Sequence, residues 1–251
     1  MGKEKRNRLM TQLGLHYARA FDVTTYISFG ISNLTWEPPV YKILRKVLRK
    51  GGRVFIDVGA YHGLYSLLAA RLLQKERDGR IVALEPDPAN FKVLAHETAW
   101  YGSLIKALPI ALWINDDEQV VFYRGKQSTE TSSMSGSIAP TETHRKSGAL
   151  SGETVKVQTI RLDTLIKQEG FGVVDLVKID IEGAELHVLT DSTLDLSKVR
   201  NLVVEVHYNY LSVESRRILA ALRSHGFKVV PLPDKSKTPY HVLATKGEVP
   251  W

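Results

Sequence analysis

Two predicted strands end in side chains that could carry out acid–base chemistry. Asp180 and Glu182 follow an apolar strand within the stretch KIDIEGAE, and Glu205 and His207 lie at the end of the next strand. Carboxylates at such a position could bind a divalent metal, orient a substrate hydroxyl or act as a base, and the histidine could be a general base. The simpler interpretations are that Asp180 or Glu182 caps a helix and that His207 is structural. Two acids on one side of a strand exceed what one cap needs, which favours a chemical role.

A second group of residues is suited to a nucleotide-like ligand. The stretch Val54–Gly63, VFIDVGAYHG, combines a buried strand, a tight turn and a helix N-terminus. Gly59 lets the backbone approach a ligand closely, and Asp57 could accept a hydrogen bond from an ammonium or a hydroxyl. Glu85 ends the next strand, where an acid can bind both hydroxyls of a ribose, although a strand-end acid alone is more often a cap or a surface charge. Tyr61 occupies the second glycine position of the dinucleotide fingerprint, which is therefore absent.

An alternation of strands and helices positions these residues. It predicts a mostly parallel, doubly wound α/β sheet whose strands end at one ligand-binding edge. Pro109, inside one predicted strand, predicts an edge, a bulge or an early end there. The predicted strands are Arg53–Val58, Arg80–Leu84, Leu104–Leu112, Gln119–Tyr123, Val155–Ile160, Val173–Ile181, Asn201–Val206, Phe227–Leu232 and Tyr240–Thr245. The predicted helices begin at Pro38 or Pro39, ending before Gly51, and then span Leu64–Gln74, Pro88–Ala99, Leu162–Gln168, Glu185–Leu189 and Val213–Ser224.

Two stretches fall outside this pattern. Residues 1–35 precede the domain, which we assign to residues 36–251, and we interpret them as an extension that packs on the domain or covers it. Residues 125–153 are rich in Ser, Thr and Gly, which predicts a long mobile loop inserted in the domain. A loop of this length inside a compact domain is either a functional lid or disordered.

Composition limits the class of protein. The chain has 251 residues, is 43% hydrophobic and carries 34 Lys and Arg against 27 Asp and Glu, a net charge of +7. This charge favours an acidic partner such as nucleic acid, a phosphorylated substrate or an anionic membrane face, although a merely basic protein is at least as common. The absence of Cys excludes disulfides, thiolate metal sites and cysteine nucleophiles. No apolar run approaches the roughly 20 residues that cross a bilayer, and no signal-peptide core is present, so we expect a soluble cytoplasmic protein.

Several of these stretches, in their order and spacing, resemble the FkbM family of S-adenosylmethionine-dependent methyltransferases. The resemblance covers the chain from about residue 36 to the end, apart from most of 125–153. LVKIDIEGAE is its most specific part, because the first two motifs occur across all class I methyltransferases. The matching stretches are WEP, FIDVGAYHGLYSLLAAR, IVALEPDPANFKVL, PIAL, TIRLDTLI, VDLVKIDIEGAELHVL and, more loosely, VVEVH.

The resemblance implies a seven-stranded class I methyltransferase fold, which is Rossmann-like, and a cofactor site for S-adenosylmethionine. It implies that Asp180, Glu182 and Glu185 line the methyl-transfer face, and that the acceptor is a hydroxyl of a sugar or another small molecule. The family commonly has Asn where Tyr61 stands, which affects fine details of the cofactor pocket. The cofactor residues that the resemblance implies are Glu37, Asp57, Gly59, Ala60, Gly63, Glu85, Pro86, Asp87, Ala111 and Leu112.

Our hypothesis from the sequence is methylation of a hydroxyl on a small molecule or a glycan. Asp180, Glu182 or His207 would be the base or its orienter, and Glu185 and Glu205 would contact the substrate. Asp180 and Glu182 could instead hold Mg²⁺ against the substrate oxygens. We expect the acceptor pocket to be built from the extension and the inserted loop, whereas the sequence indicates no oligomeric state.

Three other functions compete with this hypothesis. The net charge and a basic helix over residues 42–53 favour an RNA methyltransferase, although no RNA-recognition motif is present. A non-catalytic methyltransferase-like subunit is disfavoured because the motif residues are retained. An NAD-dependent reductase is disfavoured by the missing dinucleotide fingerprint and the lack of a Tyr-x-x-x-Lys pair.

Overall fold

The computed structural model describes residues 38–129, 132–133, 136–232 and 239–248. The predicted extension 1–35 and Glu37 lie outside the described residues. The described α-helices are α1 (Pro38–Arg49), α2 (Leu64–Leu73), α3 (Pro88–Thr98), α4 (Glu142–Ser147), α5 (Leu162–Gln168), α6 (Glu185–Leu189) and α7 (Val213–Ser224). The described strands are β1 (Val54–Val58), β2 (Arg80–Leu84), β3 (Ile105–Leu108), β4 (Ile110–Leu112), β5 (Gln119–Gly125), β6 (Gln127–Thr129), β7 (Ser132–Ser133), β8 (Leu150–Ile160), β9 (Leu176–Ile179), β10 (Asn201–Val206), β11 (Lys228–Pro231) and β12 (Tyr240–Thr245).

Seven strands form the main sheet, in the order β11-β12-β10-β9-β1-β2-β3. Neighbouring strands are parallel except at β12, which runs antiparallel to β10 and β11. β1 pairs with β2 on one side and β9 on the other, so that Val58 is level with Leu84 and with Ile179. The strand order reverses at β1, where open α/β sheets form a ligand crevice beyond the carboxyl ends of the strands.

Apolar residues alternate along the strands and bury both faces of the main sheet. Along β1, Phe55 belongs to one core cluster, whereas Ile56 and Val58 belong to another on the opposite face. Helices α1 and α2 cover the face of Phe55, and α5, α6 and α7 cover the face of Ile56. This arrangement confirms the predicted doubly wound, mostly parallel sheet. None of the described helices is long and apolar enough to cross a bilayer.

The third predicted strand divides at Pro109, which confirms the early end predicted there. β3 forms the edge of the main sheet, where the N–H that a proline lacks is not needed to pair with a further strand. The chain then enters a second sheet of three strands in the order β4-β8-β5, in which β8 runs parallel to β4 and antiparallel to β5. This small sheet places Ala111 and Leu112 beside the end of the main sheet, since β2 and β4 are in contact.

The stretch 125–153 differs from the expected loop. Its described residues contain β6, β7, α4 and the first part of β8, which pairs with β5 as far as Gly125 and Leu150. Thr141 begins α4 with a capping box, in which its side chain accepts from the N–H of His144 and the His144 ring accepts from the Thr141 N–H. Low apolar content indicated a loop, but strand pairing and this cap order the chain instead.

The strand predicted over Val173–Ile181 is shorter than expected. β9 begins at Leu176, and the Asp175 carboxylate just before it accepts from the backbone N–H groups of Arg53 and Val54, at 2.7 and 3.1 Å. β9 ends at Ile179, and the chain then turns through positive φ values. Asp180 and Glu182 therefore lie in a turn after the strand, which corrects the expectation that they share one side of a strand.

Candidate active site

Backbone contacts hold the turn after β1 against the end of β2. The N–H groups of Gly59 and Ala60 both donate to the carbonyl of Leu84, at 3.0 and 2.9 Å. Gly59 has a φ of 73° and lies directly against the backbone carbonyl of Asp180, so no side chain fits there. Gly63 has a φ of 89° just before α2, and an added Cβ would lie 2.7 Å from a leucine side chain of α3. Both glycines therefore serve close packing around the turn.

Tyr61 adopts a left-handed conformation at the position where the resemblance implies Asn. Its φ is 52°, in a region that Asn tolerates better than an aromatic residue. Its ring stacks on His62, with centroids 3.8 Å apart and planes inclined by 12°. The Tyr61 N–H donates to Oε2 of Glu85 at 2.8 Å, a backbone contact that any residue type except proline could make at this position.

Glu85 is a buried carboxylate at the end of β2. Its Oε2 accepts from Tyr61, and its Oε1 accepts from the N–H of Asp87 at 3.0 Å and from Nδ2 of Asn90 at 3.4 Å. Burial raises the pKa of Glu85 to about 8, because the loss of water outweighs these three donors. A ligand that donates further hydrogen bonds to this carboxylate would favour its ionised form.

Asp57 is buried beneath the turn. Its Oδ2 accepts from the Ser66 hydroxyl of α2 at 2.7 Å, whereas Oδ1 is buried with no hydrogen-bond partner among the described residues. Burial raises the pKa of Asp57, and the ammonium of Lys178 on the neighbouring strand partly offsets that effect. A buried carboxylate oxygen without a donor is costly, so Oδ1 is suited to receive a hydrogen bond from a ligand.

Asp87 uses both carboxylate oxygens within the protein. Oδ1 caps α3 by accepting from the N–H groups of Ala89 and Asn90, at 2.8 and 3.3 Å. The Arg124 guanidinium of β5 donates to Oδ2 at 2.8 Å and to Oδ1 at 3.3 Å. This pair joins the second sheet to the start of α3.

A pocket joins the β1–β2 turns to the acidic turn after β9. Glu85 and Asn90 line one end, and Asp180 and Glu182 line the other. The second sheet and the residues after it close one wall with Phe122, Gly136 and Ile138. Of the residues predicted to bind the cofactor, those lining the pocket are Gly59, Glu85, Pro86, Ala111 and Leu112.

Lys178 and His207 flank the carboxylate of Asp180. The Lys178 ammonium donates to Oδ2 at 2.9 Å and lies over the ring of Tyr65, 5.2 Å from its centroid. Oδ1 of Asp180 lies 4.0 Å from Nε2 of His207. Asp180 is the partly exposed member of this group, with 24% of its side chain accessible, and can therefore meet a ligand.

Two glutamates bracket the buried ring of His207. Its Nδ1 lies 3.0 Å from Oε1 of Glu185, and its Nε2 lies 3.0 Å from Oε2 of Glu182. Burial alone would lower the pKa of His207, but the two carboxylates outweigh burial and raise it well above the usual value. The ring is therefore held as an imidazolium that donates from both nitrogens.

One carboxylate oxygen of Glu182 interacts with two histidine rings. Nε2 of His144, from α4, lies 2.9 Å from the Oε2 that also binds His207. Burial raises the pKa of Glu182, but the two rings outweigh burial and the net shift is downward. Glu182 has a φ of 54°, a strained conformation for a residue with a side chain, which its contacts must hold in place.

Glu185 and Glu205, the two predicted substrate contacts, are paired with protein groups. Glu185 is fully buried, and its carboxylate accepts from the N–H groups of Ile181 and Gly183 as well as facing His207. Oε2 of Glu205 lies 3.6 Å from Nε2 of His241 on β12. Burial and the nearby Asp180 raise the pKa of Glu205 to about 7.

One group of described residues has the spacing of a metal site. Ligand atoms of Asp180, Glu205 and His207 lie within 4.8 Å of one another. Mg²⁺ prefers an octahedral set of oxygen ligands, and the His207 nitrogen near this group already faces Glu182 as a donor. The donor set therefore does not fit Mg²⁺, and we assign no step to a metal.

Several residues of this site were not predicted from the sequence. His144 lies in the stretch interpreted as a loop, and only its tertiary contact with Glu182 reveals it. Asn90 lies within IVALEPDPANFKVL but was not predicted to bind the cofactor, and Phe122 lies outside the matching stretches. Lys178 begins KIDIEGAE, and the pairing of β9 with β1 places it level with Asp57, so a lysine beside a buried acid on the neighbouring strand is a signal for this residue.

The sheet order and the pocket at the ends of β1, β2 and β9 are those of a class I methyltransferase. The profile of the Methyltransferase FkbM domain matches residues 57–229, most of the chain, and the protein therefore belongs to the FkbM methyltransferase family. The resemblance noted in the sequence is thus confirmed, and so is its prediction of a methyltransferase.

Two relatives are similar over most of the chain. The 31-O-demethyl-FK506 methyltransferase FkbM of Streptomyces tacrolimicus is 28% identical over 224 residues, which are 79% of this chain and 82% of that protein. The 2-O-methyltransferase NoeI of Sinorhizobium fredii is 27% identical over 186 residues, 70% of this chain and 72% of that protein. Among solved structures, an O-methyltransferase from Bacillus cereus in complex with SAH covers 98% of this chain and 92% of its own, with 12% identity and a TM-score of 0.49.

Proposed function

We propose that the protein transfers a methyl group from S-adenosylmethionine to a hydroxyl oxygen of a small molecule, a sugar or a glycan. The observation that carries this proposal is the pocket that joins the buried carboxylate of Glu85 to the acidic turn at Asp180 and Glu182. A nucleoside would occupy the first end and an acceptor hydroxyl the second. Two relatives that are named for methylation of oxygen support the proposal.

The residues of β1 and β2 fit S-adenosylmethionine. Glu85 would accept hydrogen bonds from the ribose hydroxyls, and Ala111 and Leu112 would border the adenine. Gly59 lets the turn pass against the Asp180 carbonyl, and Oδ1 of Asp57, which has no partner among the described residues, would accept from the amino-acid part of the cofactor. When bound, the cofactor supplies a methyl group that its positively charged sulfur makes electrophilic.

We assign Asp180 as the base that receives the proton of the acceptor hydroxyl. Lys178 holds its Oδ2, whereas its Oδ1 has no hydrogen bond to a described residue and lies 4.0 Å from His207. His207 has no lone pair to offer while both of its nitrogens donate to carboxylates. The lowered pKa of Glu182 makes it a weaker base than an ordinary carboxylate.

The imidazolium of His207 would offset the negative charge of the acidic turn. It lies between Glu182 and Glu185 and within 4.0 Å of Asp180, so its positive charge keeps three carboxylates compatible in one small volume. In this arrangement Glu185 acts through His207 and through the backbone N–H groups of the turn. We therefore assign Glu185 to positioning, away from the acceptor.

Substitution of the acidic turn tests the proposal. Asp180→Asn should abolish methyl transfer from [methyl-³H]S-adenosylmethionine to a panel of methyl glycosides and secondary alcohols, while S-adenosylhomocysteine affinity changes by less than about threefold. Asp117→Asn is the matched control, because Asp117 is exposed and has a φ of 55° that Asn tolerates. Full activity of Asp180→Asn, or loss of cofactor affinity in that variant, would refute the assignment of the base.

RNA methylation is the second candidate, favoured by one observation. Helix α1 exposes Lys42, Arg45 and Arg49, and Lys50 follows it; these side chains could contact phosphates. Binding of labelled tRNA, followed by fluorescence anisotropy at low salt, distinguishes the two functions. We expect no binding. Binding followed by methylation of the tRNA would contradict our proposal and support RNA methylation instead.

A further inference from the structure

The segment 136–148, which lies in the stretch expected to be a loop, reaches the acidic turn through His144. Nε2 of His144 lies 2.9 Å from Oε2 of Glu182. Nε2 of His207 lies 3.0 Å from the same oxygen, and the two rings are 5.8 Å apart at an angle of 36°. One oxygen of Glu182 is thus bound from two directions by rings on different parts of the chain.

The hydrogen bonds of His144 fix where its ring carries a proton. The backbone N–H of Thr141 donates to Nδ1 at 3.1 Å, and the Thr141 hydroxyl lies 2.8 Å from the same nitrogen. A backbone N–H can only donate, so Nδ1 must hold a lone pair. The ring proton is therefore on Nε2, where it is donated to Glu182.

The segment 136–148 packs closely against the acidic turn. A Cβ on Gly183 would lie 2.5 Å from Cγ2 of Thr141 and 2.9 Å from the carbonyl oxygen of Ala139, so glycine is needed for the two pieces of chain to meet. The Ser137 hydroxyl also donates to the carbonyl of Ile181 at 3.4 Å. His144 thus approaches Glu182 from a support that is itself attached to the residues flanking Glu182.

This arrangement leaves the other oxygen of Glu182 for a ligand. Both rings bind Oε2, and no hydrogen bond reaches Oε1 from the part of the chain that the structure describes. Glu182 lines the pocket together with Asp180, and both carboxylates lie within 4.0 Å of one nitrogen of His207. If Asp180 takes the proton of the reacting hydroxyl, Glu182 is placed to accept from a hydroxyl on the neighbouring carbon.

We propose that His144 is a positioning residue that holds Glu182 to bind a second hydroxyl of the acceptor, so that the preferred acceptor carries two neighbouring hydroxyls. This inference rests on the proposed function, since it assigns the substrate class of the same site. His144 would touch neither acceptor nor cofactor, and its effect would pass through Glu182 alone.

Acceptor preference provides the first test. We would compare the methyl glycoside that the protein methylates best with its analogue deoxygenated at the neighbouring carbon. The wild type should favour the diol at least about tenfold in kcat/KM, because the site loses a charge-assisted hydrogen bond with the analogue. His144→Phe should reduce that preference below about threefold, whereas His144→Gln, which can still donate an N–H to Glu182, should retain most of it.

Two measurements separate this role from a structural one. S-adenosylhomocysteine affinity should be unchanged in His144→Phe, and His96→Phe, at an exposed histidine of α3, should keep the wild-type preference. In wild-type protein without ligands, ¹⁵N-resolved NMR of the histidine rings should show His144 protonated on Nε2 and not on Nδ1. Because this measurement uses only the wild type, it tests the inference even if His144→Phe fails to fold.

The outcomes that would overturn the inference are distinct from failure of the proposed function. An Nδ1–H tautomer of His144, or an unchanged diol preference in a folded His144→Phe variant, would refute the role of His144. If the wild type methylates diols and deoxy analogues equally, the inference that Glu182 binds a second acceptor hydroxyl would be refuted. A wild type that binds S-adenosylhomocysteine but methylates no hydroxyl would refute the proposed function itself.

Discussion

Gly59 packs directly against the backbone carbonyl of Asp180. The turn after β1, which would bind the cofactor, therefore contacts the acidic turn after β9. The contact explains how residues far apart in the sequence form one site. The carboxyl ends of β1 and β9 lie side by side, and the glycine lets the chain leaving β1 pass over the chain leaving β9.

We therefore predict that Gly59→Ala disrupts both ends of the site. The added methyl cannot coexist with the Asp180 carbonyl, so the turn must move, and we expect about 3 kcal/mol of destabilisation with loss of S-adenosylhomocysteine binding. Urea unfolding and calorimetric titration measure the two effects. Gly170→Ala is the control, because Gly170 has a similar φ of 70° but no atom within 4 Å of an added Cβ, and it should cost only about 1 kcal/mol. Equal costs at the two positions would show that the contact with Asp180 is unimportant.

Glu85 makes cofactor affinity depend on pH. Its pKa is raised to about 8, so the carboxyl is mostly neutral at pH 7 and ionises as the pH rises. Ribose hydroxyls donate to the ionised form, and binding should therefore tighten by about tenfold between pH 7 and pH 9 and then level off. Titration calorimetry with S-adenosylhomocysteine across this range checks the slope. Glu85→Gln should bind more weakly at every pH and lose the dependence, whereas affinity that falls as the pH rises would contradict this role.

Asp57 should matter more for binding than for stability. Asp57→Asn removes a buried carboxylate that has an unpartnered oxygen, so we expect the melting temperature to be kept or raised. The same change should weaken S-adenosylhomocysteine binding by at least about tenfold, because an amide oxygen accepts less strongly from an ammonium. Thermal melts with and without the ligand measure both effects. A large loss of stability with unchanged affinity would mean that Oδ1 has a partner in the free protein.

The ion pair of Arg124 and Asp87 should hold the second sheet to the start of α3. Arg124→Met keeps the apolar stem but leaves the buried Asp87 carboxylate without its cation, which should cost about 2 kcal/mol in the free energy of unfolding. Arg223→Met, at an exposed position of α7, should cost less than about 0.5 kcal/mol. Urea denaturation of both variants provides the comparison, and similar costs would show that the buried pair contributes little.

The fold and the strand-end residues could be predicted from the sequence because they follow from local patterns. An apolar run that ends in Asp57 and Gly59, or in Glu85, indicates both the strand and the edge at which it stops. Because the strands are parallel, their carboxyl ends then meet at one edge of the sheet. The same logic extends to Asp180, which follows β9 beside β1.

The remaining features depend on contacts between distant residues. His144 contacts Glu182 because Gly183 lets the segment 136–148 pack on the acidic turn. No periodic pattern in the sequence predicts such a contact. The positive φ of Glu182 likewise replaces the strand geometry that its sequence neighbours favour. Asp87 is different, since an acid before Pro88 is a recognised helix-start signal and its capping contacts could have been predicted.

The central claim is transfer of a methyl group to a hydroxyl oxygen, and the most direct test identifies the atom that receives it. The protein would be incubated with [methyl-¹³C]S-adenosylmethionine and the panel of methyl glycosides, secondary alcohols, amines and tRNA, and the labelled product examined by ¹³C NMR. We predict an O-methyl carbon on a hydroxylated acceptor, absent with Asp180→Asn and present with Asp117→Asn. A label on nitrogen, carbon or tRNA would contradict the proposal.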